Sequence, residues 1–430
     1  MPLVGESLLG RPGVVGIAFR QVTQLCGVCL PQTFDFLPAV PAAISPFLTF
    51  GIALLVSAGA ADVLFRTRRV PRVATYIILG MAFGGPGLKW VSPDMAGLWR
   101  PAVDVALGAV LFRLGQRLDL AWLRHNKWLA ASSLFEALAT FCAVYLVMTL
   151  IGVPPVSSAL VAAVAMSTSP AVTISLVMEA QSRGQVTERL LLLTGLNTIF
   201  ALMLAQAWIG WGHLEFANRP FTAVLHPLYA LFSSALLGLV VAGVYKFVAR
   251  YMSNAQDVGL AHLSLVLVGV EAAYLFNVSP FLSLLGAGVV YRLSAGEGPR
   301  PAGGDGALLH PLQAFLFLVV GASANWGGFL AAAPACAALV MSRGLAKISV
   351  PVLLSRPSGL ALRQGLGLGL GLLPMSALAC LLTFDASALF PAFDERARVV
   401  LLGTIAVFQL VGPLLARLGL GRLSGECRPA

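Results

Sequence analysis

The sequence predicts an all-α polytopic membrane protein of about 13 transmembrane helices, arranged as two inverted repeats that each hold a broken helix. Four observations carry that expectation. Of the 430 residues, 58% are hydrophobic and only 11% charged, against about 25% charged in soluble domains. The mean hydropathy of +0.88 is more than one buried core would account for. The apolar residues fall into long runs separated by short basic loops. Two of those runs are interrupted at mid-span by a proline beside serine.

The runs cover approximately 46–65, 71–85, 101–120, 127–152, 156–179, 187–212, 223–251, 257–275, 278–293, 308–330, 332–355, 360–385 and 393–420. A helix needs about 20 residues to cross the hydrocarbon core, so 71–85 and 278–293 are short. Residues 1–45 lack a basic start followed by an apolar core, so no cleavable signal peptide is expected and they read as an N-terminal tail. Residues 421–430 read as a C-terminal tail, and Ser294–Gly306 as a flexible connector. No large soluble domain is expected.

A net charge of +10 would suit nucleic acid, but its distribution does not. Loops on one side of the alternating runs hold 19 of the 28 Lys and Arg, the other side holds 7, and Arg343 and Lys347 fall within a run. The basic side is therefore cytoplasmic, with the N-terminus outside and the C-terminus inside. Three of the six cysteines, Cys142, Cys336 and Cys380, lie in apolar runs and read as small hydrophobes. "CGVC" (Cys26–Cys29) has redox spacing but no second pair or His cluster near it. Five scattered histidines argue against a multi-His metal site, so no metal or cofactor is expected. An enzyme is not expected either: the Ser of "STSP" has no partner base.

Six runs (46–212), a linking segment (213–256) and six more runs (257–420) suggest two halves that enter the membrane from opposite sides. Counted from residues 46 and 257, "MSTSPAVT" (Met166–Thr173) places Pro170 at offset 124, and "LGLLPMSALA" (Leu370–Ala379) places Pro374 at offset 117. Proline removes a backbone donor and frees a carbonyl. Matched interruptions in two halves point to a transporter's binding site, where freed carbonyls and half-helix ends hold an ion. Gly367 and Gly371, four apart in "GLGLGLGLLP", suit close helix packing and not a phosphate loop.

A charge at the bilayer centre costs at least about 2.5–3.5 kcal/mol on insertion scales, so an intramembrane ionisable residue is a functional candidate. The four are Glu136, Glu271, Arg343 and Lys347. Glu136 and Lys347 both stand at offset 90 in their halves, beside the two interruptions, and are expected to face one cavity and pair. Arg343 and Lys347 share a helix face; the competing reading is that they reach the cytoplasmic interface. Glu271 is nearer the outer surface and reads as peripheral, and Asp104 and Arg113 lie close to the ends of their run.

These features resemble the sodium/proton exchanger domain of the monovalent cation:proton antiporter superfamily over most of residues 46–420. The resemblance is carried by "RVPRVATYIILGMAFGGPGL" (Arg69–Leu88), "VLFRLGQRLDLAWLRHN" (Val110–Asn126), "AMSTSPAVTISLVMEAQSRGQVTERLLLLTGLN" (Ala165–Asn197), "FLFLVVGASANW" (Phe315–Trp326), "RQGLGLGLGLLPMSALA" (Arg363–Ala379) and "LVGPLLARLGL" (Leu410–Leu420). It implies thirteen helices, a core that moves against a panel, and a homodimer formed through the panel. It also implies that the two broken helices, the runs at 156–179 and 360–385, cross, with an ion site where the breaks meet, completed by an acid on the following helix. That position typically reads Asn-Asp, Asp-Asp or Gln-Asp in the family. Here it is Asn197-Thr198, and a threonine hydroxyl can offer an oxygen to an ion but does not titrate near neutral pH.

The expected function is a secondary transporter of a bacterial inner (plasma) membrane, exchanging sodium or potassium for protons by alternating access about a midplane site. Thr168, Ser169 and the carbonyls around Pro170, with Asn197, Thr198 and Ser376, would line that site. Glu136 would carry the proton, and Lys347 or Arg343 would balance its charge. Two other readings keep the fold: an organic-anion transporter or uniporter, since two cations face one acid, and a non-transporting sensor or scaffold.

Overall fold

A computed structural model of the chain describes residues 45–85, 87–91, 94–217, 220–252, 254–295, 306–324, 330, 332–375, 377–390 and 392–426. Among these residues all regular structure is helical: α1 (Pro46–Arg68), α2 (Arg72–Phe83), α3 (Asp94–Arg117), α4 (Leu120–His125), α5 (Lys127–Leu150), α6 (Pro155–Met166), α7 (Pro170–Glu179), α8 (Gln185–Ala217), α9 (Pro220–Ala249), α10 (Ala255–Leu275), α11 (Pro280–Ala295), α12 (Gly306–Ala322), α13 (Ala333–Leu353), α14 (Leu362–Gly371), α15 (Ala377–Leu389) and α16 (Glu395–Leu418), with a π-helical turn over Gly419–Leu423. Taking α6/α7 and α14/α15 as one span each, and leaving aside the six-residue connector α4, these give thirteen spans in the predicted order. Eight helical stretches are long and apolar enough to cross a membrane, and α2, α11, α12 and α15 supply shorter apolar helices.

The second half repeats the first. A short second span (α2, α11), a charged fourth span (α5, α13) and a broken fifth (α6/α7, α14/α15) recur in order. The single helix α9 between them makes the halves run in opposite directions. The residues forming α9 start later than the predicted linking segment at 213, because α8 continues to Ala217.

The first break follows from "STSP". Proline disfavours helical geometry in the residue before it, and Ser167 and Ser169 are extended, at φ −60°, ψ 142° and φ −67°, ψ 109°. Ser169 then caps α7: its Oγ accepts the Val172 amide at 3.2 Å, and Pro170 takes the first helical position, where no amide is needed. At the second break α14 stops at Gly371, residues 373–375 are non-helical around Pro374, and α15 starts at Ala377.

Packing sorts the spans into two groups. α1, α2, α3, α9, α10, α11 and α12 associate with one another, through α3 on α11, α9 on α11 and α2 on α12. α5, α6, α8, α13, α14 and α16 form the other, through α5 on α13, α6 on α8 and α13 on α14, and hold α7 and α15 among them. The broken helix α6/α7 lies at the centre: its most apolar stretch is 94% buried, against 22% for α1. Gly367 belongs to a tight contact, since a Cβ there would lie 2.7 Å from the Gly419 carbonyl oxygen, and Gly371 stands against Leu190.

Candidate ion-binding site

The two breaks cross in contact. The Ser169 amide donates to the Pro374 carbonyl at 2.8 Å, and the Thr168 hydroxyl donates to the Leu372 carbonyl at 3.1 Å. Each break thus satisfies part of the other's exposed backbone, which no solvent would do at this depth.

The basic residues of α13 take the remaining carbonyls. Arg343 is fully buried. Its Nε donates to Ala165 O at 2.8 Å, Nη2 to Ser167 O at 2.9 Å and Nη1 to Leu373 O at 2.8 Å. The guanidinium also lies over the Phe408 ring, 4.5 Å from its centroid. Its planar fork suits three acceptors spread over two chain segments. Lys347 Nζ donates to Met166 O at 2.6 Å. The carbonyls of residues 165–167 and 372–374 therefore all have protein donors. Four of these six are held by tethered cations, and the other two by the Thr168 hydroxyl and the Ser169 amide. Neither basic side chain reaches out to the interface: both are fully buried.

Glu136 comes from α5 and is also fully buried. Its Oε1 lies 2.7 Å from Lys347 Nζ and accepts the Thr140 hydroxyl at 3.1 Å. Its Oε2 accepts Asn197 Nδ2 at 2.7 Å. Thr168 joins the same group: its Oγ1 lies 3.3 Å from Lys347 Nζ and 3.4 Å from Asn197 Nδ2. Asn197 Oδ1 is buried and makes no hydrogen bond. A buried acceptor without a donor is costly, and it is the one atom of this group left with its full capacity.

Glu136, Lys347, Asn197 and Thr168 are thus brought together. Ser169 and Pro170 serve as the cap and first residue of α7, one step from Thr168. Thr198 is fully buried, but its hydroxyl donates to the Thr194 carbonyl of its own helix at 2.8 Å and is not bonded into the group. Ser376 lies outside the described residues. Glu271 is exposed on α10. Thr140 was missed by the sequence reading, although its place four residues after Glu136 puts it on the same helix face. Phe408 had no signal beyond its hydrophobicity.

A cavity of about 310 Å³ lies between the two groups of helices, lined by Arg72 and Tyr76 of α2, Ser175 and Glu179 of α7, and His310 and Gln313 of α12. Glu179 caps α2 there, accepting the Arg72 amide at 3.2 Å. Arg72 in turn reaches Asp62 at 3.0 Å.

Crossed broken helices closed around buried charges, in a multi-pass helical membrane protein, define a membrane transporter. The family model described as sodium/hydrogen exchanger, transmembrane, matches residues 51–419, and the chain belongs to that family. The fold is also that of two solved structures of the sodium proton antiporter MjNhaP1 from Methanocaldococcus jannaschii. One, determined at pH 8, has 14% identity and a TM-score of 0.65, covering 89% of this chain and 98% of its own. The other, from electron microscopy, has 16% identity and a TM-score of 0.68, covering 89% and 99%. No curated protein matches the sequence.

Proposed function

We propose that this protein exchanges sodium or potassium for protons across a bacterial inner membrane, with its N-terminus outside and its C-terminus cytoplasmic. In this reading Glu136 on α5 takes the part of the acid that is absent at Thr198 on α8. The carboxylate is neutralised in turn by a cation and by a proton, and Lys347 is the tethered cation that holds it between loads. An arriving ion displaces the ammonium from Glu136, and Asn197 Oδ1, Thr168 Oγ1 and Thr198 Oγ1 supply further oxygens. Arg343 moves with the breaks and keeps them joined. Loading occurs alternately from the two sides as the group holding α5–α8 and α13–α16 shifts against the panel of α1–α3 and α9–α12. The panel forms a homodimer.

The observation that carries this reading is the convergence on one buried carboxylate of an ammonium and an amide, both at 2.7 Å, beside an acceptor with no donor. The test is a proteoliposome assay that records internal pH while sodium, potassium or lithium is added. Exchange is expected in the wild type and is lost in Glu136→Gln. Adding Thr198→Asp to Glu136→Gln restores exchange if the family position is otherwise intact. Equal pH-coupled flux in wild type and Glu136→Gln would sink the proposed role of Glu136.

A further inference from the structure

Arg100, near the start of α3, bonds to two elements at once. Its Nε donates to the two oxygens of Asp104, one turn on, at 3.1 and 3.0 Å. Its Nη2 lies 2.9 Å from Asp385 Oδ1 on α15. Asp104 is fully buried and also accepts the hydroxyl of Tyr274, at the end of α10. α3 and α10 belong to the panel, whereas α15 runs on from the second break in the other group. Arg100 is therefore fixed by its own group through Asp104, itself held by Tyr274, and presents Nη2 to the other group.

The position of this bond sets its consequence. α2 starts at Arg72 and crosses before α3 begins, so Arg72 and Arg100 mark opposite ends of the bundle. At the Arg72 end the two groups face each other across the 310 Å³ cavity, bridged at its rim where Glu179 accepts the Arg72 amide at 3.2 Å. At the Arg100 end they are tied together. The side chains of Arg100 and Asp385 are 31% and 35% exposed, so water can replace each partner when the bond opens.

We propose that Arg100 and Asp385 are positioning residues of the transport cycle. Their ion pair holds panel and core together at the outer end while the inner cavity is open, and it must break for the outer end to open. This rests on the proposed movement of core against panel. A partly exposed pair biases an equilibrium about 1.5- to 5-fold, enough to weight one state without trapping the protein in it.

Asp385→Asn removes the charge that ties the groups, leaving at most a neutral hydrogen bond, and leaves Arg100, Asp104 and Tyr274 as they are; Asp385→Ser removes the acceptor as well, and Asp385→Glu keeps the charge. The measurement is backbone hydrogen exchange by mass spectrometry on the full chain in micelles, without transported ion. In Asp385→Asn, exchange is expected to rise about 1.5- to 5-fold at the start of α3 and along α15. It should fall by a similar factor around the inner cavity, over residues 72–76 and 175–179. Asp385→Ser must give the same signs, and Asp385→Glu should stay within 1.5-fold of wild type at both ends, a bound set by the low end of that range. A merely structural bond would loosen its own neighbourhood and leave the opposite end unchanged. A rise confined to α15, or no change at either end, overturns the proposal. Because no ion is added, loss of exchange activity in the wild type would sink the antiport reading without touching this result.

Discussion

The buried pair of Glu136 and Lys347 can be tested without any transport assay, through a double-mutant cycle. The two groups are 2.7 Å apart and fully buried, so at an effective dielectric of about 20 their attraction is roughly 6 kcal/mol. Desolvation of the two ions costs several kcal/mol each, so the intact pair adds little net stability. Removing one partner is different, because it strands the other. Lys347→Met should cost about 3–5 kcal/mol, since Thr140 and Asn197 alone remain on the carboxylate. Lys347→Met with Glu136→Gln should recover most of that, because neither member of the pair is left as a stranded charge. The Met166 carbonyl loses its donor in both Lys347 variants, so that loss cancels in the cycle. Unfolding in mixed dodecyl maltoside and SDS micelles, followed by tryptophan fluorescence, gives the four stabilities. A coupling energy of about 2 kcal/mol or more is expected. Independent sites add within about 0.5 kcal/mol, and a coupling that small would refute the pair as the centre of the site.

Two further perturbations probe the frame that carries the site. Glu426 caps α8, the helix of Asn197: its Oε1 accepts the Val186 amide and its Oε2 the Thr187 amide, both at 2.8 Å. Glu426→Ala should destabilise α8 by about 1–2 kcal/mol, read as faster amide exchange at Val186 and Thr187 with the middle of the helix unaffected. At Gly412 a Cβ would lie 2.7 Å from the Pro374 Cα, so Gly412→Ala should cost about 1–3 kcal/mol by overpacking the second break. A thermal-shift midpoint no lower than that of wild type would show that the break has room to yield.

The spans and breaks were legible because hydropathy and proline act locally. Pro170 dictates an extended Ser169 whatever lies around it, and Ser169 caps whichever helix follows. Edges were less legible. The run at 71–85 yields a helix that ends at Phe83, where the Gly84-Gly85 pair turns the chain. The run at 393–420 winds on through a π-helical turn to Leu423. In the site, Glu136, Arg343 and Lys347 stood out because charge is rare in such runs, and equal offsets put Glu136 and Lys347 side by side. What they bind was not legible. Five of the partners of Arg343, Lys347 and Thr168 are main-chain carbonyls, which every residue has and which no residue type marks. The bond from Arg100 to Asp385 joins residues 285 apart in sequence, and only the folded arrangement brings them together.

Those carbonyl partners also bear on what the site binds. Arg343, Lys347 and Glu136 sum to one positive charge, which would favour an anion. Yet the three nitrogens of Arg343 are spent on carbonyls at the C-terminal ends of α6 and α14. A helix C-terminus carries about half a negative charge, so the two ends together offset about one charge, that of the guanidinium. At the start of α7 the Val172 amide is answered by Ser169 Oγ, the Thr173 amide by Ser169 O and the Ser169 amide by Pro374 O, so these three donors are engaged as well. On the proposed function, what faces a substrate is then the Glu136–Lys347 pair, neutral as a unit. An organic anion would have to draw Lys347 from a carboxylate that Asn197 and Thr140 keep in place, leaving Glu136 buried and uncompensated. A small cation meets the opposite situation. It takes over the role of the ammonium at a carboxylate already oriented to receive it, and Asn197 Oδ1 gains the partner it lacks. The charge arrangement therefore favours a cation, although the usual acid of α8 is missing.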